Sequence, residues 1–333
     1  MTAESVVFIG KTTIQKNMKK LFLSLIAAVC AMSGYAQNSL VATLQHGTSI
    51  QAYYGEDALS EAHTAAVDGD IITLSTGDFN SCDITKAITV RGEGIGKTKL
   101  KLSNNITFTV PQSSTHTLSL EGLDFLENGS AKPTINGVDG TERVILSKCC
   151  FRYSLDINNC NASIVQCLVY DRLTTTGQTN ATCLNSKFGY LSLYDNSHFD
   201  IQNCIVASAT DFKNSSIKNS IIHTSGWALD ASNTSSHCLV LGSTNSGFAN
   251  SWYLDDFSNV IVGNPIYDND KKYSFYQLTE DAATTYLGTD STPVGIYGGM
   301  YPYNETPSYP LVKKLDVIGT HSNGKLNVKI NVE

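Results

Sequence analysis

The chain has 333 residues, enough to bury a sizeable core, and its 41% hydrophobic and 16% charged content excludes a disordered chain. Its formal net charge of −7 disfavours nucleic acid and anionic membranes as partners. We therefore expect a folded protein that binds neither.

Residues 18–36 have the three parts of a secretory signal peptide. A charged start, Met18-Lys19-Lys20, is followed by an apolar run over residues 21–29 and by small residues up to Ala36. The apolar run is shorter than the ~20 residues that cross a bilayer, so we predict no transmembrane span. The pattern predicts export with cleavage after Ala36, and a secreted protein that is extracellular or held at the cell surface.

Two alternatives concern this N-terminal segment. Residues 1–17 fit no part of a signal peptide, so Met18 is a candidate for the true start of the protein. A lipid anchor on Cys30 is disfavoured because Val29 precedes it, where lipoprotein signals carry Gly or Ala. Removal of residues 1–36 leaves 19 basic and 29 acidic residues, a net charge of −10.

Residues 56–67 have helical spacing. Apolar residues fall at positions 58, 59, 62, 65 and 66, and acids lie in the first turn. We interpret this segment as a helix that caps the first coil of a repetitive fold. An uncovered coil would expose its core and a strand edge ready to pair with other chains.

A four-residue unit recurs between about residues 118 and 262, preceded by less regular strand-like runs at 71–74, 87–90 and 106–110. It consists of a polar residue, a small or sulfur-bearing residue, any residue and a large apolar residue. The second position recurs in steps of 16 to 22 residues. The units are Lys148-Cys149-Cys150-Phe151, Gln166-Cys167-Leu168-Val169, Asn185-Ser186-Lys187-Phe188, Asn203-Cys204-Ile205-Val206, Asn219-Ser220-Ile221-Ile222, His237-Cys238-Leu239-Val240 and Asn259-Val260-Ile261-Val262.

Each unit predicts one coil of a β-solenoid. The steps are too short for a propeller blade, and the Leu-x-Leu framework of leucine-rich repeats is missing. Alternation along a strand turns the second and fourth positions inward. The first position lies at a bend, where Asn tolerates left-handed backbone angles and can bond to Asn on stacked coils. We assign this role to Asn185, Asn203, Asn219 and Asn259, and His237 occupies an equivalent bend.

The N-terminal part of the predicted solenoid resembles a known family. The helix, the runs 68–74 and 77–79, and Ile88-Thr89-Val90-Arg91-Gly92-Glu93-Gly94 resemble the start of pectin-lyase-like right-handed β-helices. The signal peptide and the tail are similar to those of secreted β-helix proteins from Bacteroidetes. The resemblance covers residues 50–333 and implies parallel strands stacked at ~4.8 Å per coil. The family includes pectate lyases, polygalacturonases, pectin methylesterases and non-catalytic adhesins, so it leaves function open.

The sequence offers no catalytic, cofactor-binding or metal-binding motif. The closest acidic groups, Asp255-Asp256 and Asp268-Asn269-Asp270, lack the arginine motif of pectate lyases, and we interpret both as turns. The Gly-His-Gly and Arg-Ile-Lys elements of polygalacturonases are missing as well. The seven histidines contain no His-Glu-x-x-His pair. We therefore predict no catalytic residue, cofactor or metal site.

Eight cysteines remain after the predicted cleavage. Cys149, Cys167, Cys204 and Cys238 share the inward position of the repeat, where stacked side chains lie farther apart than the sulfur-bearing carbons of a disulfide. We predict a stack of free thiols in the core. Cys150 and Cys160 lie outside that position, which leaves an isolated disulfide open.

The composition changes beyond about residue 271. Residues 271–310 form a connector rich in Tyr, Pro and Gly, whose tyrosines 297, 301, 303 and 309 we expect to pack against the last coil, with stacking on sugars as the alternative. Residues 311–333 alternate apolar and polar around Ser322-Asn323-Gly324, which predicts a β-hairpin. A lone hairpin is marginally stable, so it should dock on the solenoid or donate its edge to a protein partner.

The sequence thus predicts an all-β right-handed parallel β-helix with an N-terminal capping helix and a C-terminal hairpin. Its parts are the upstream segment with the signal peptide (1–36), the β-helix (37–270), the connector (271–310) and the hairpin (311–333). The favoured function is a secreted or cell-surface, non-catalytic protein that is adhesin-like or binds a polysaccharide or host glycan. The alternative is a polysaccharide lyase or glycoside hydrolase acting on pectin-like polymers.

Overall fold

The computed structural model describes residues 40–112, 114–126, 131–194, 196–223, 228–242, 247–262, 277–304, 306–307, 312–317 and 328–332. The predicted signal peptide, the acidic run at 268–270, Tyr309, His321 and the hairpin turn at 322–324 lie outside the described residues. In the described part of the chain the structure is mostly β, with 46% strand and 6% helix, and its parallel sheets stack as a β-solenoid of about nine turns. The predicted all-β solenoid is confirmed.

The first sheet has eleven strands. Two of them form an N-terminal hairpin that pairs antiparallel with the third, and the rest are parallel. In spatial order the strands are β2 (Ser49–Tyr54), β1 (Val41–His46), β3 (Ile71–Leu74), β5 (Thr89–Arg91), β8 (Leu118–Glu121), β11 (Arg143–Ser147), β14 (Asn161–Val165), β16 (Asn180–Leu184), β18 (His198–Gln202), β20 (Ser216–Lys218) and β22 (Thr234–Ser236).

The second sheet has thirteen parallel strands, three of which form a branch. The ten main strands are β4 (Gly77–Asn80), β6 (Thr98–Lys101), β9 (Asp124–Leu126), β12 (Cys150–Phe151), β15 (Leu168–Thr176), β17 (Lys187–Leu193), β19 (Ile205–Thr210), β21 (Ile221–Ile222), β23 (Leu239–Leu241) and β24 (Trp252–Leu254). The branch consists of β7 (Ile106–Thr109), β10 (Pro133–Asn136) and β13 (Leu155–Asn158).

The predicted capping helix is present as α1 (Ala58–Ala65). It buries Ala58, Leu59 and Ala62 at the N-terminal end of the core. Its C-terminal end is held by Lys86, whose Nζ donates to the carbonyl oxygens of residues 63, 64 and 66 at 2.6, 3.0 and 2.6 Å. These are carbonyls that a helix end leaves without a helical partner, and a lysine there also complements the helix dipole.

Replacing Lys86 with Met is therefore expected to lower the free energy of unfolding by about 1–3 kcal/mol. Lys99→Met is the control, because Lys99 makes a surface ion pair with Asp78 at 3.3 Å whose loss should change stability by less than about 1 kcal/mol. Urea denaturation of both variants measures the difference. Equal effects of the two substitutions would contradict the role of Lys86 in holding the helix.

The predicted bends take the left-handed conformation in six of the seven repeat units, with φ between 47° and 54°. The seventh, Asn259, lies in a turn as predicted, but its backbone is not left-handed. Among the described coils of the solenoid, the last left-handed bend is Asn250 (φ 47°), and β24 follows it and pairs with β23 through Leu239 and Trp252. Asn250-Ser251-Trp252-Tyr253 fits the unit, but this coil is only 13 residues long when counted from Cys238 to Ser251.

The second position of the unit has a defined hydrogen-bonding role. Ser186 Oγ donates to the Leu184 carbonyl two residues earlier (2.8 Å) and accepts from the backbone N–H of Cys167 on the preceding coil (3.0 Å). Ser220 and Ser251 make the same pair of bonds. This geometry explains why the position takes Ser or Cys.

The predicted thiol stack is confirmed with one change. Cys149, Cys167, Cys204 and Cys238 are buried and free, but only the first two occupy adjacent coils, because serines separate the others. Cys150 and Cys160 are also free thiols, so the disulfide left open for them is not formed.

The predicted Asn-to-Asn bonding occurs at other positions than expected. Asn158 Nδ2 donates to Asn136 Oδ1 at 2.9 Å, and Asn180 Nδ2 donates to Asn161 Oδ1 at 3.1 Å. Asn185 at a left-handed bend donates instead to the C-terminal segment.

That C-terminal segment comprises residues 277–304 and 306–307, and we call it the strap. It contains β26 (Gln277–Leu278), which pairs with β25 (Ile261–Val262), and α2 (Glu280–Thr285). It lies along the outer side of the second sheet, where its apolar side chains bury the third position of the repeat unit. This second apolar cluster includes Cys150, Leu168, Ile205, Ile221 and Leu239 from the solenoid and Val294, Ile296 and Tyr303 from the strap.

Side chains at the left-handed bends hold the strap by its backbone. Asn185 Nδ2 donates to the carbonyl oxygens of Ile296 (2.9 Å) and Gly298 (2.7 Å). The strap runs from the last coils back toward the N-terminal end, so its tyrosines do not pack on the last coil as expected: Tyr303 is buried on the flank, and Tyr301 is 56% exposed. Further bonds join Asn219 to Thr289, Gln166 to Tyr301 and Pro302, and Lys148 to Thr306.

The predicted C-terminal hairpin is present as two antiparallel strands, β27 (Val312–Val317) and β28 (Val328–Val332). Among the described residues, no helix is long and apolar enough to cross a membrane.

Candidate functional site

The acidic pair Asp255-Asp256 lies at a turn, as predicted. Asp256 accepts hydrogen bonds from the N–H (2.8 Å) and the hydroxyl of Ser258, and these bonds lower the pKa of the Asp256 carboxyl. Both aspartates are exposed. A carboxylate satisfied within its own turn is a structural feature of that turn.

The histidines of the described chain are dispersed over the molecule. His46 bonds to Asp70, His63 accepts from the N–H of Thr85, and His237 packs edge-on against Trp252. Within the described residues, no three His, Cys, Asp or Glu side chains converge as a metal site would require.

One shallow pocket of about 370 Å³ lies at the turn that follows β19. Its polar lining consists of Thr210, Asp211, Lys213 and Asp230. Asp230 accepts from the N–H and hydroxyl of Ser232, which lowers the pKa of its carboxyl. Like the Asp256 carboxylate, the Asp230 carboxylate accepts its hydrogen bonds within its own turn.

The strap covers a group of chemically distinctive side chains that the sequence pattern did not single out. Lys187 occupies the third position of its unit and is only 1% exposed. Its Nζ lies 4.2 Å from the ring centroid of Tyr170, and burial lowers the pKa of its ammonium to about 8. Burial also lowers the pKa of His223, whose ring packs edge-on against Phe257 with the ring centroids 5.5 Å apart. Because the strap closes this flank, we interpret the group as part of the packing between strap and solenoid.

On the first sheet, by contrast, the outward side chains of strands β11 to β20 are exposed or half-buried. They form a surface that we call the polar face. It consists of Arg143, Ile145 and Ser147 on β11, Asn161, Ser163 and Val165 on β14, Asn180, Thr182 and Leu184 on β16, His198, Asp200 and Gln202 on β18, and Ser216 and Lys218 on β20.

Strand register places these side chains in straight rows along the solenoid axis. One row runs Ile145, Ser163, Thr182, Asp200 and Ser216, because each pairs with the next across the sheet. Neighbouring members are separated by about 4.8 Å, the spacing between hydrogen-bonded strands. The residues that alternate with them along the strands, such as Ile164 and Cys183, point inward and are fully buried. Their packing in the core holds the backbone of the rows in place.

The polar face presents hydrogen-bonding groups at fixed positions. Asn180, Thr182, His198 and Asp200 are exposed. Ser216 Oγ donates to Asp200 Oδ1 at 2.6 Å, so some of the groups are already oriented by their neighbours. Amide and hydroxyl groups both donate and accept, which suits them to a ligand rich in hydroxyls. The sequence alternation could have located these positions, since they lie between the inward residues of each strand.

Comparison of the chain with family models, with curated proteins and with solved structures found no match. The assignment of the fold therefore rests on the sheet topology. The choice of a functional surface rests on the chemistry of the polar face.

Proposed function

We propose that this protein is a secreted or cell-surface, non-catalytic β-solenoid that binds a polysaccharide or host glycan through the polar face. The observation that carries the proposal is the set of in-register outward rows on β11 to β20, in which amide and hydroxyl side chains such as Asn161 beside Asn180 and Ser163 beside Thr182 lie on neighbouring coils. A linear array with a constant spacing suits a linear polymer, because successive sugars can meet side chains at corresponding positions on successive coils. We also propose, from the resemblance of its first coils, that the solenoid is of the pectin-lyase-like type.

The expected energetics fit a binding surface of this kind. A single hydrogen bond exchanged with water contributes only about 0.5–1.5 kcal/mol, so one residue gives little affinity. Several coils engaged by one chain add their contributions, and the rigid core keeps the loss of side-chain freedom small. We expect moderate affinity that rises with the length of the glycan.

The double variant Asn180→Ala/Thr182→Ala tests the polar face. Loss of two hydrogen-bonding groups is expected to weaken glycan binding roughly tenfold. The matched control is Thr107→Ala/Thr134→Ala, which removes two partly exposed threonines from the branch of the second sheet. Binding is screened on a glycan array and measured by calorimetry on the mature chain.

The control variant should bind as the parent does. Equal losses in both variants would contradict the assignment of the site, and an array without any bound glycan would contradict the function. The lyase or hydrolase alternative is tested on the same samples, by ultraviolet absorbance of unsaturated products and by release of reducing ends. Turnover of a pectin-like polymer would contradict the non-catalytic proposal.

The C-terminal hairpin is a second candidate surface, for a protein partner. Its strands β27 and β28 pair with each other, and a two-stranded sheet has two outer edges that can accept a further strand. Export itself is tested by mapping the N-terminal peptide of the secreted protein, which we propose begins at Gln37.

A further inference from the structure

Charge is distributed unevenly over the polar face. Its two central strands, β14 and β16, present no charged side chain outward. The charged or titratable groups lie on the strands to either side: Arg143 on β11, His198 and Asp200 on β18, and Lys218 on β20. The six central side chains are Asn161, Ser163, Val165, Asn180, Thr182 and Leu184.

Two of the flanking side chains, His198 and Asp200, lie near each other, and an ion pair lies just outside the face. On the N-terminal side of the face, Arg91 on β5 pairs with Glu121 on β8 at 3.6 Å. On the other side, Asp200 lies 3.9 Å from His198 and accepts the hydroxyl of Ser216. No block of basic side chains is present among the outward residues of the described first sheet that could neutralise a polyanion.

We propose that the polar face selects a neutral polysaccharide, centred on β14 and β16. This inference rests on the proposed function and names its ligand class. Asn161, Asn180 and the hydroxyls of Ser163 and Thr182 would exchange hydrogen bonds with sugar hydroxyls. Val165 and Leu184, partly exposed in the adjacent row, offer aliphatic surface to the C–H groups of a pyranose ring.

A polyuronate would fit this surface poorly. On binding, its carboxylates would lose part of their hydration over uncharged side chains, and no cation would replace the lost water. This desolvation is unfavourable. The net charge of −10 of the chain after residue 36 would also oppose the approach of a polyanion. We therefore expect de-esterified pectin, which is a polyuronate, to bind weakly.

The test compares two polymers that share a backbone and differ in charge: polygalacturonate and its methyl ester. Neutral glucan, galactan and mannan complete the panel, and each affinity is measured in low and high NaCl. We expect the methyl ester or a neutral polymer to bind at least roughly tenfold more tightly than polygalacturonate. Affinity for the neutral ligand should change by less than about twofold with salt, because no ion pair is screened.

A charge-gain variant sharpens the result. Thr182→Lys places a cation in the middle row and is expected to reduce binding to the neutral polymer while creating salt-sensitive binding to polygalacturonate. Thr107→Lys on the branch of the second sheet is its matched control and should leave the binding of the neutral polymer unchanged. Preferential, salt-sensitive binding of polygalacturonate by the parent chain would overturn this inference and leave the proposed function standing. Binding to no polymer of the panel or the array would overturn both.

Discussion

Replacing Asn185 with glycine is expected to lower the free energy of unfolding by about 2–4 kcal/mol. The Asn185 side chain is buried at a left-handed bend (φ 47°) and donates to the carbonyls of Ile296 and Gly298 on the strap. Glycine keeps the left-handed backbone without strain, so the loss reports on the two hydrogen bonds and on the carbonyls left without a partner.

The matched control is Asn203→Gly. Asn203 occupies the same bend one coil further along (φ 52°) and is equally buried beneath Gly298 and Gly299, but its Nδ2 has no hydrogen-bond partner within the described structure. We expect this substitution to change stability by less than about 1 kcal/mol. Denaturation in guanidinium chloride measures both variants.

The variant Asn185→Ala measures the additional cost of a Cβ at this left-handed bend. Alanine removes the same two hydrogen bonds and also places a Cβ in the left-handed region, which adds roughly 1–2 kcal/mol to the loss. If Asn185→Gly and Asn203→Gly are equally stable, the bonds to the strap are not what stabilises this flank. Limited proteolysis within the strap gives an independent readout, since weaker docking should speed its cleavage.

The repeat unit predicted most of the solenoid because each of its positions has a local physical cause. The bend residue needs a left-handed backbone, the second position needs a small side chain that can donate and accept, and the fourth needs apolar bulk. Those causes act within one coil or between neighbouring coils. The final coil was missed because Asn250 follows after a step of only 13 residues, shorter than any of the 16-to-22-residue steps of the unit, whereas Asn259 falls at the upper end of that range.

The strap could not be predicted in the same way, since many of its contacts join residues far apart in the sequence, such as Asn185 and Ile296. One signal was nevertheless present. The repeat unit allows any residue at its third position, yet this position is apolar at Leu168, Ile205 and Ile221. On an open sheet that outward position would be polar, so the apolar column indicated a cover.

For the polar face, the sequence predicts which residues point outward but not how they align between coils. Alternation identifies Ser163 and Thr182 as outward residues once the inward neighbours are known. Their alignment into rows depends on strand register between coils of unequal length, which the sequence spacing leaves undetermined. The contrast between an open face and a strapped face therefore emerges only from the structure.

Replacing Lys187 with Met is expected to stabilise the protein by roughly 1–3 kcal/mol near neutral pH. Burial lowers the pKa of the Lys187 ammonium from 10.5 to about 8, so the folded state at pH 7 holds a charge that the unfolded state keeps in water. Methionine has a similar length and fills the same apolar surroundings. It loses the contact with the Tyr170 ring, which offsets about 0.5–2 kcal/mol of the gain.

The dependence on pH identifies the cause. Because the pKa of Lys187 is lower in the folded state, the unfolded state binds more protons between about pH 8 and 10.5, and the parent chain gains stability as pH rises through that window. The advantage of Lys187→Met should therefore shrink between pH 7 and pH 9.5. Lys218→Met on the exposed polar face is the control and should alter stability little at either pH. A constant advantage at both pH values would show that improved apolar packing, rather than removal of a buried charge, stabilises the variant.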